Sequence, residues 1–235
     1  MPNLGIAKLR TEQRDGKTVV VDQYSQAPLQ LHKPLLLSQS APPVVYLKTP
    51  SSGLLEGDEH QIEIEVSKDS SIEMRTQACT LVYPGRSRQI VKLIVADGGR
   101  LVFHPHSLIL ASGCMLTQSV SIDLSRGAAL DYQEEWCAGR IAMGEQWQFE
   151  SFDYRIEILL DGKLSYRERW RMEPSNHPLE SPVICGEFTH FRTRFVFEPK
   201  GNQCGLLDAA PPLSKRSKSW TMSRETGQIL RTAYC

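Results

Sequence analysis

Apolar and polar residues alternate one by one through "HQIEIEVS", which puts Ile62, Ile64 and Val66 on one face and Glu63 and Glu65 on the other. A period of two belongs to an extended chain, so this stretch reads as a strand with one buried face. The same pattern returns in "IEMRTQACTLVY", "QIVKLIVA", "RLVFHPHSLIL", "QSVSIDLS" and "AALDYQEEW", punctuated by the turns "YPGR", "ADGG", "ASG" and "SRG". Short strands and regularly spaced turns predict an all-β fold. With 235 residues the chain can bury a sizeable core as one domain spanning 1–235. No fixed repeat period is visible by inspection, but the series suits a layered, solenoid-like stack of short strands and hairpins.

Two later segments add detail. "YRIEILLDGKLSYRERWRM" holds two alternating runs joined by Asp161 and Gly162, a dipeptide that accepts the positive φ angles of a tight hairpin turn. "GEFTHFRTRFVF" alternates again and predicts a strand packed through Phe191 and Phe195. Between them, "EPSNHPLESP" is rich in proline and polar residues and reads as an irregular surface connection. The closing stretch, 206–235, turns weakly patterned and net basic, and is expected to be an arm or a helix. Its Trp220 and arginines suit a partner-binding anchor or a solvated terminus equally well.

Charge narrows the function. Basic and acidic residues balance at 27 each, so no global field draws the chain to nucleic acid or to an anionic membrane. No run approaches the roughly 20 apolar residues of a membrane-spanning helix, and "MPNLGIAKLR" lacks the apolar centre of a signal peptide, so a cytoplasmic location is expected. Six scattered cysteines without a C-x-x-C pair suggest neither a zinc knuckle nor a secreted disulfide framework. A nucleophile elbow, a phosphate-binding loop, a dinucleotide fingerprint and a metal-binding H-E-x-x-H helix are all missing.

What remains is carboxylates: Glu56, Asp58 and Glu59 beside His60 on one turn, Asp131, Glu134 and Glu135 further on, and Glu145 in "GRIAMGE". Sparse oxygen ligands with an occasional imidazole bind a divalent cation weakly enough to let it move on. The plainer reading is that acids on a turn face water or cap the backbone. His104 and His106 form an H-x-H pair that could ligate a metal, although the intervening Pro105 and the lack of a third ligand favour surface or packing roles. His190 reads equally well as a hydrogen-bonded sheet residue. Arg140 is placed to grip Glu145 and fix the local turn. Two other classes stay open: an all-β carbohydrate-active enzyme using two of Asp58, Glu134, Glu135 and Glu145, and a module that only bridges proteins. Against the enzyme, Trp136, Trp147, Trp170 and Trp220 are dispersed and offer no evident sugar platform.

"TPSSGLLEGDEHQIEIEVSKDSSIEMRTQACTLVYPG" resembles the signature region of the UreD/UreH urease accessory proteins, the match being carried by Gly53, Gly57, Asp58, Thr76, Gln77 and Tyr83. The likeness continues in order through "APLQLHKPLLL", "FHPHSLILASGCMLTQSVSIDL", "EEWCAGRIAMGEQWQF" and "GEFTHFRTRFVF". Ser51 and Ser52 depart from glycines usual in the family, Cys79 and Leu81 interrupt its Thr-Gln-Ala-Thr-Lys run, and the C-terminal end looks short. The resemblance implies an all-β fold with one or two short helices and no enzymatic activity. It implies a scaffold that binds the urease apoprotein and works with UreF-type and UreG-type accessory proteins, with nickel in transit through an internal passage and no tightly bound cofactor. Asp58 carries over as a polar group of that passage and transient metal contact, with Glu134 and Glu135 as further acids. Thr76, Gln77, Tyr83, Arg140, Gly144 and Glu145 match motif positions expected to hold the fold or line the passage.

Overall fold

The computed structural model describes residues 3–38, 41–51, 53–199, 217–224 and 227–234. The chain opens with a hairpin of β1 (Asn3–Arg14) and β2 (Lys17–Gln26), followed by the two-residue β3 (Gln30–Leu31). It then winds through three coils of three strands. The first is β4 (Val44–Lys48), β5 (Gly53–Leu54) and β6 (Asp58–Val66), and the second is β7 (Ser71–Thr76), β8 (Thr80–Val82) and β9 (Gly85–Val95). The third is β10 (Arg100–His104), β11 (Leu108–Leu110) and β12 (Cys114–Leu124). After these come β13 (Ala129–Cys137), β14 (Ser151–Leu160), β15 (Lys163–Met172), β16 (His190–Phe197), β17 (Ser217–Arg224) and β18 (Gly227–Tyr234).

Corresponding strands of successive coils pair in parallel, so the solenoid-like stack expected from the sequence is present. One face is β4-β7-β10-β13, a second is β6-β9-β12-β14, and the short β5-β8-β11 series links them. The register contains a repeat that inspection of the sequence does not reveal. Val44 lies beside Glu73, Ser71 beside Arg100, Arg100 beside Ala129 and Glu59 beside Arg88, a constant step of 29 residues. A fixed step brings like positions side by side. Ile62, Val91 and Val120 form one buried ladder, and Ile64, Leu93 and Ile122 form the next. Each such side chain contributes roughly 1.5–3 kcal/mol when fully buried.

Antiparallel hairpins finish the stack. β14 and β15 turn at Asp161 (φ 50°) and Gly162 (φ 70°), as the Asp-Gly dipeptide predicts. At the other edge β1 runs parallel to β6 and carries β2 outside it. The C-terminal stretch corrects the expectation of an arm or helix: β18 pairs antiparallel with β16, and β17 with β18, extending the β4-β7-β10-β13 sheet beyond β13. Ile229 and Ala233 are buried, so this strand closes part of the core that β16 would otherwise leave open. Residues 206–216 of that expectation lie outside the described residues. The family's short helices are reduced, among the described residues, to one 3₁₀ turn at Ile141–Met143. Among these residues no helix is long and apolar enough to cross a membrane.

Candidate functional site

The interior is not uniformly apolar. Near its start, each strand of the β6-β9-β12 face points a polar side chain inward: His60, then Gln89 beside it, then Gln118 beside Gln89, with Tyr154 of β14 next in register. All four are buried. Facing them, β13 presents Tyr132 and Glu134, and with Trp136, Trp170 and Thr193 these groups line a cavity of about 350 Å³.

Glu134 is the centre of this site. Its Oε1 accepts the Tyr132 hydroxyl at 2.8 Å and the Gln118 side-chain amide at 3.4 Å, and its Oε2 accepts the Tyr154 hydroxyl. Gln118 also donates to Gln89 Oε1 at 3.2 Å, so the hydrogen-bonded line runs across three strands. Burial pushes the Glu134 carboxyl up to about 7, although the two tyrosine hydroxyls pull the other way. The same burial lifts Tyr132 and Tyr154 well above the ordinary phenol range, so both remain donors. His60 is only 1% exposed and its Nε2 has no hydrogen-bond partner among the described residues. Burial lowers its pKa to about 4, partly offset by the charge of Asp58, so the ring is neutral near pH 7. The ring fits against Gly5, where a Cβ would come within 3.2 Å of His60 Cδ2 and 3.0 Å of Pro28.

The cavity reaches the corner where β7 passes to β8 and β10 to β11. Thr76, Gln77, Cys79, Pro105 and His106 line it there, and exposed Gln77 and Cys79 mark its opening. His106 Nδ1 lies 2.7 Å from Thr76 Oγ1, tying the two turns together. Glu135 sits at the same rim. It follows Glu134 on an extended strand, so the two carboxylates leave on opposite faces. Glu135 accepts Ser107 Oγ at 2.6 Å and Arg192 Nε at 2.9 Å, and also the Tyr234 hydroxyl. Burial acts to raise its pKa, but these donors outweigh it and hold the carboxyl below its usual range.

Of the residues singled out from sequence, Thr76, Gln77, Glu134 and Glu135 therefore share one cavity, whereas Asp58, Tyr83, Arg140 and Glu145 do not line it. Asp58 is buried on the same face of β6 as His60. Its Oδ2 accepts the Leu55 N–H at 2.9 Å and its Oδ1 accepts Asn3 Nδ2 at 3.1 Å, closing the turn that Glu56 and Gly57 expose. Tyr83 donates its backbone N–H to Leu54 at 2.9 Å. Arg140 grips Glu145 through two nitrogens, and Glu145 also accepts the Ser112 N–H at 3.3 Å. Gly144 ends the intervening turn with φ 76°. The H-x-H pair diverges: His104 bonds Asp131 at 2.9 Å, where Arg194 also sits, while His106 serves Thr76. His190 stacks on Tyr234 and bonds Thr189. Cys114, Cys137 and Cys185 are buried thiols, and Cys79 is exposed.

Sequence reading passed over Gln89, Gln118, Tyr132 and Tyr154, and noticed His60 only as part of the acidic turn. A signal was available. Positions 60, 89 and 118 are polar residues on the inward parity of three strands, at the 29-residue step of the coil. Among the described residues no group of three or more histidines, cysteines and acids is placed to hold a metal, so the cavity offers sparse ligands rather than a cage.

A family model described as UreD urease accessory protein matches residues 4–232. The chain belongs to this UreD family. It is similar to the urease accessory protein UreD 2 of Synechococcus sp. (strain JA-3-3Ab), with 41% identity over 145 residues, 62% of this chain and 53% of that protein. It is likewise similar to the UreD of Synechococcus sp. (strain JA-2-3B'a(2-13)), with 45% identity over 156 residues, 66% of this chain and 57% of the relative. The urease accessory protein UreH of Helicobacter hepaticus (strain ATCC 51449 / 3B1) shares 25% identity over 82% of this chain and 77% of its own length. The chain thus spans just over half the length of the two Synechococcus relatives. The Gly53 to Tyr83 motif of the UreD resemblance runs from β5 to the residue just after β8.

Proposed function

We propose that this chain is a non-catalytic urease maturation factor that binds the urease apoprotein and, with UreF-type and UreG-type partners, passes nickel through its interior. Family membership supports the maturation role, and one structural observation supports the route. A cavity of about 350 Å³ inside the coil holds, among the described residues, one inward carboxyl, Glu134, surrounded by neutral hydrogen-bonding side chains, with Glu135 at its rim. Such a lining meets a divalent ion with too few strong ligands to trap it, which suits passage better than storage. In this reading Glu134 is the acid that meets the ion, Thr76, Gln77 and Glu135 frame the opening, and Asp58 fixes the turn that sets His60 in place. The divergence of Glu134 and Glu135 onto opposite faces speaks against a paired-carboxylate glycosidase, which needs both acids on one bond.

The deciding experiment is co-expression of urease with its accessory proteins, this chain carrying Glu134→Gln. The passage reading expects the accessory complex to assemble and the urease to be poor in nickel. Normal nickel content in that urease would leave a protein-bridging role and remove the passage.

A further inference from the structure

His60 is the one cavity-lining side chain whose buried polar atom has no partner among the described residues. Around it the other polar groups are committed: Gln118 to Gln89 and Glu134, and both tyrosines to Glu134. An unpaired imidazole nitrogen in a core costs free energy unless it serves something. The ring is also held in place, since Gly5 leaves it just enough room and β6 is locked on both sides by β1 and β9.

We infer that His60 is the nitrogen ligand through which the cavity discriminates late first-row divalent cations from magnesium and calcium. This rests on the passage reading above and adds its selectivity. A carboxylate with amide and hydroxyl oxygens treats hard cations at least as well as borderline ones, so Glu134 and its neighbours alone would not tell nickel from the far more abundant magnesium. A neutral imidazole reverses that preference, because nickel, copper and zinc take nitrogen readily and magnesium does not. His60 lies two strands from Gln118, the β12 partner of Glu134, so an ion would meet the nitrogen and the carboxylate in turn, which gives choice without the grip of a three- or four-ligand site.

Trp136 and Trp170 both line the cavity, so a paramagnetic ion inside it quenches their fluorescence. The purified full chain is titrated with Ni²⁺ and separately with Mg²⁺, and compared with His60→Gln. The expected result is saturable Ni²⁺ quenching that excess Mg²⁺ does not relieve in the wild type. In His60→Gln, nickel affinity falls by at least about tenfold and Mg²⁺ competes. Equal discrimination by the variant overturns the role of His60 and leaves the passage standing. An absence of any saturable quenching in the wild type overturns the passage and this inference with it. A second measurement does not depend on the variant folding: in ¹⁵N-histidine-labelled wild type, Ni²⁺ broadens the His60 imidazole resonances in step with the quenching. Sharp His60 resonances at full quenching overturn the assignment.

Discussion

The hydroxyl of Tyr154, on one sheet, donates to the carboxyl of Glu134 on the other, so the two faces of the coil meet at their centre through a polar contact. Glu134 and the neutral His60, on facing walls of the cavity, are shifted in opposite senses by the same burial.

That opposition sets a pH signature. Glu134 rises from 4.5 to about 7 in the fold, so between those values the folded chain holds the extra proton and stability declines as pH rises. His60 falls from 6.5 to about 4, so across that window the unfolded chain holds the extra proton and stability declines as pH drops. From about pH 4.5 to 6.5 the two slopes oppose each other, each on the order of 3 kcal/mol over its full window. In metal-free protein, Glu134→Gln is expected to lose stability on acidification more steeply than wild type, and His60→Gln to gain it. Denaturant unfolding at pH 4.5, 5.5 and 6.5 measures this, and a Glu134→Gln profile parallel to wild type would refute the cancellation.

The sequence showed the class of fold because alternation is a local property: Ile62, Ile64 and Val66 declare their strand without reference to anything distant. The Asp161-Gly162 hairpin was legible for the same reason. Its twin at Asp15 (φ 50°) and Gly16 (φ 74°), between β1 and β2, carries the same dipeptide and was overlooked. What local pattern cannot supply is which inward position meets which. Gln89 on its own looks like a polar lead-in to a strand. It becomes part of a site only when the 29-residue step sets it between His60 and Gln118. The C-terminal strands were hidden differently: "GQILRTAY" has a mixed pattern, and it is the edge of β16 that makes it a strand.

Gly53 tests the linking face. A Cβ there would lie 1.8 Å from the Leu81 carbonyl oxygen, a backbone atom that cannot step aside without breaking the β5–β8 pairing. Gly53→Ala is expected to cost about 3 kcal/mol by overpacking, read as a lower midpoint in chemical denaturation. A midpoint equal to wild type would mean the linking strands do not pack as described.

Asp58 is expected to behave as a structural residue. Asp58→Ala strands the Leu55 N–H and Asn3 Nδ2 in a partly buried turn, at a cost of about 1–3 kcal/mol. Asp58→Asn keeps an acceptor and recovers part of the loss. Removing the charge also drives the His60 pKa lower still, since Asp58 is what opposes the effect of burial there. Nickel quenching by folded Asp58→Asn should match wild type; a large loss would make Asp58 a ligand in its own right.

Glu135 joins the rim of the cavity to the last strand of the sheet. Its carboxylate collects Ser107 beside β11, Arg192 of β16 and Tyr234 of β18, and Arg192 also lies over the Tyr234 ring. Both members of the Arg192 ion pair are largely buried, with side chains 18% and 14% exposed, so removing one leaves the other charge poorly solvated. Glu135→Ala is expected to cost about 2 kcal/mol, below the range for a fully buried pair because water still reaches this one. Its pKa is depressed in the fold, so the stabilisation is present above the ordinary value of 4.5 and is lost as pH falls through the folded one. The variant should therefore differ from wild type most at neutral pH and converge with it in acid. Because Tyr234 loses its anchor, amide exchange should quicken first along residues 232–234, where β18 pairs with β16. Uniform acceleration across the whole sheet would show instead that Glu135 supports global stability and not the seating of β18.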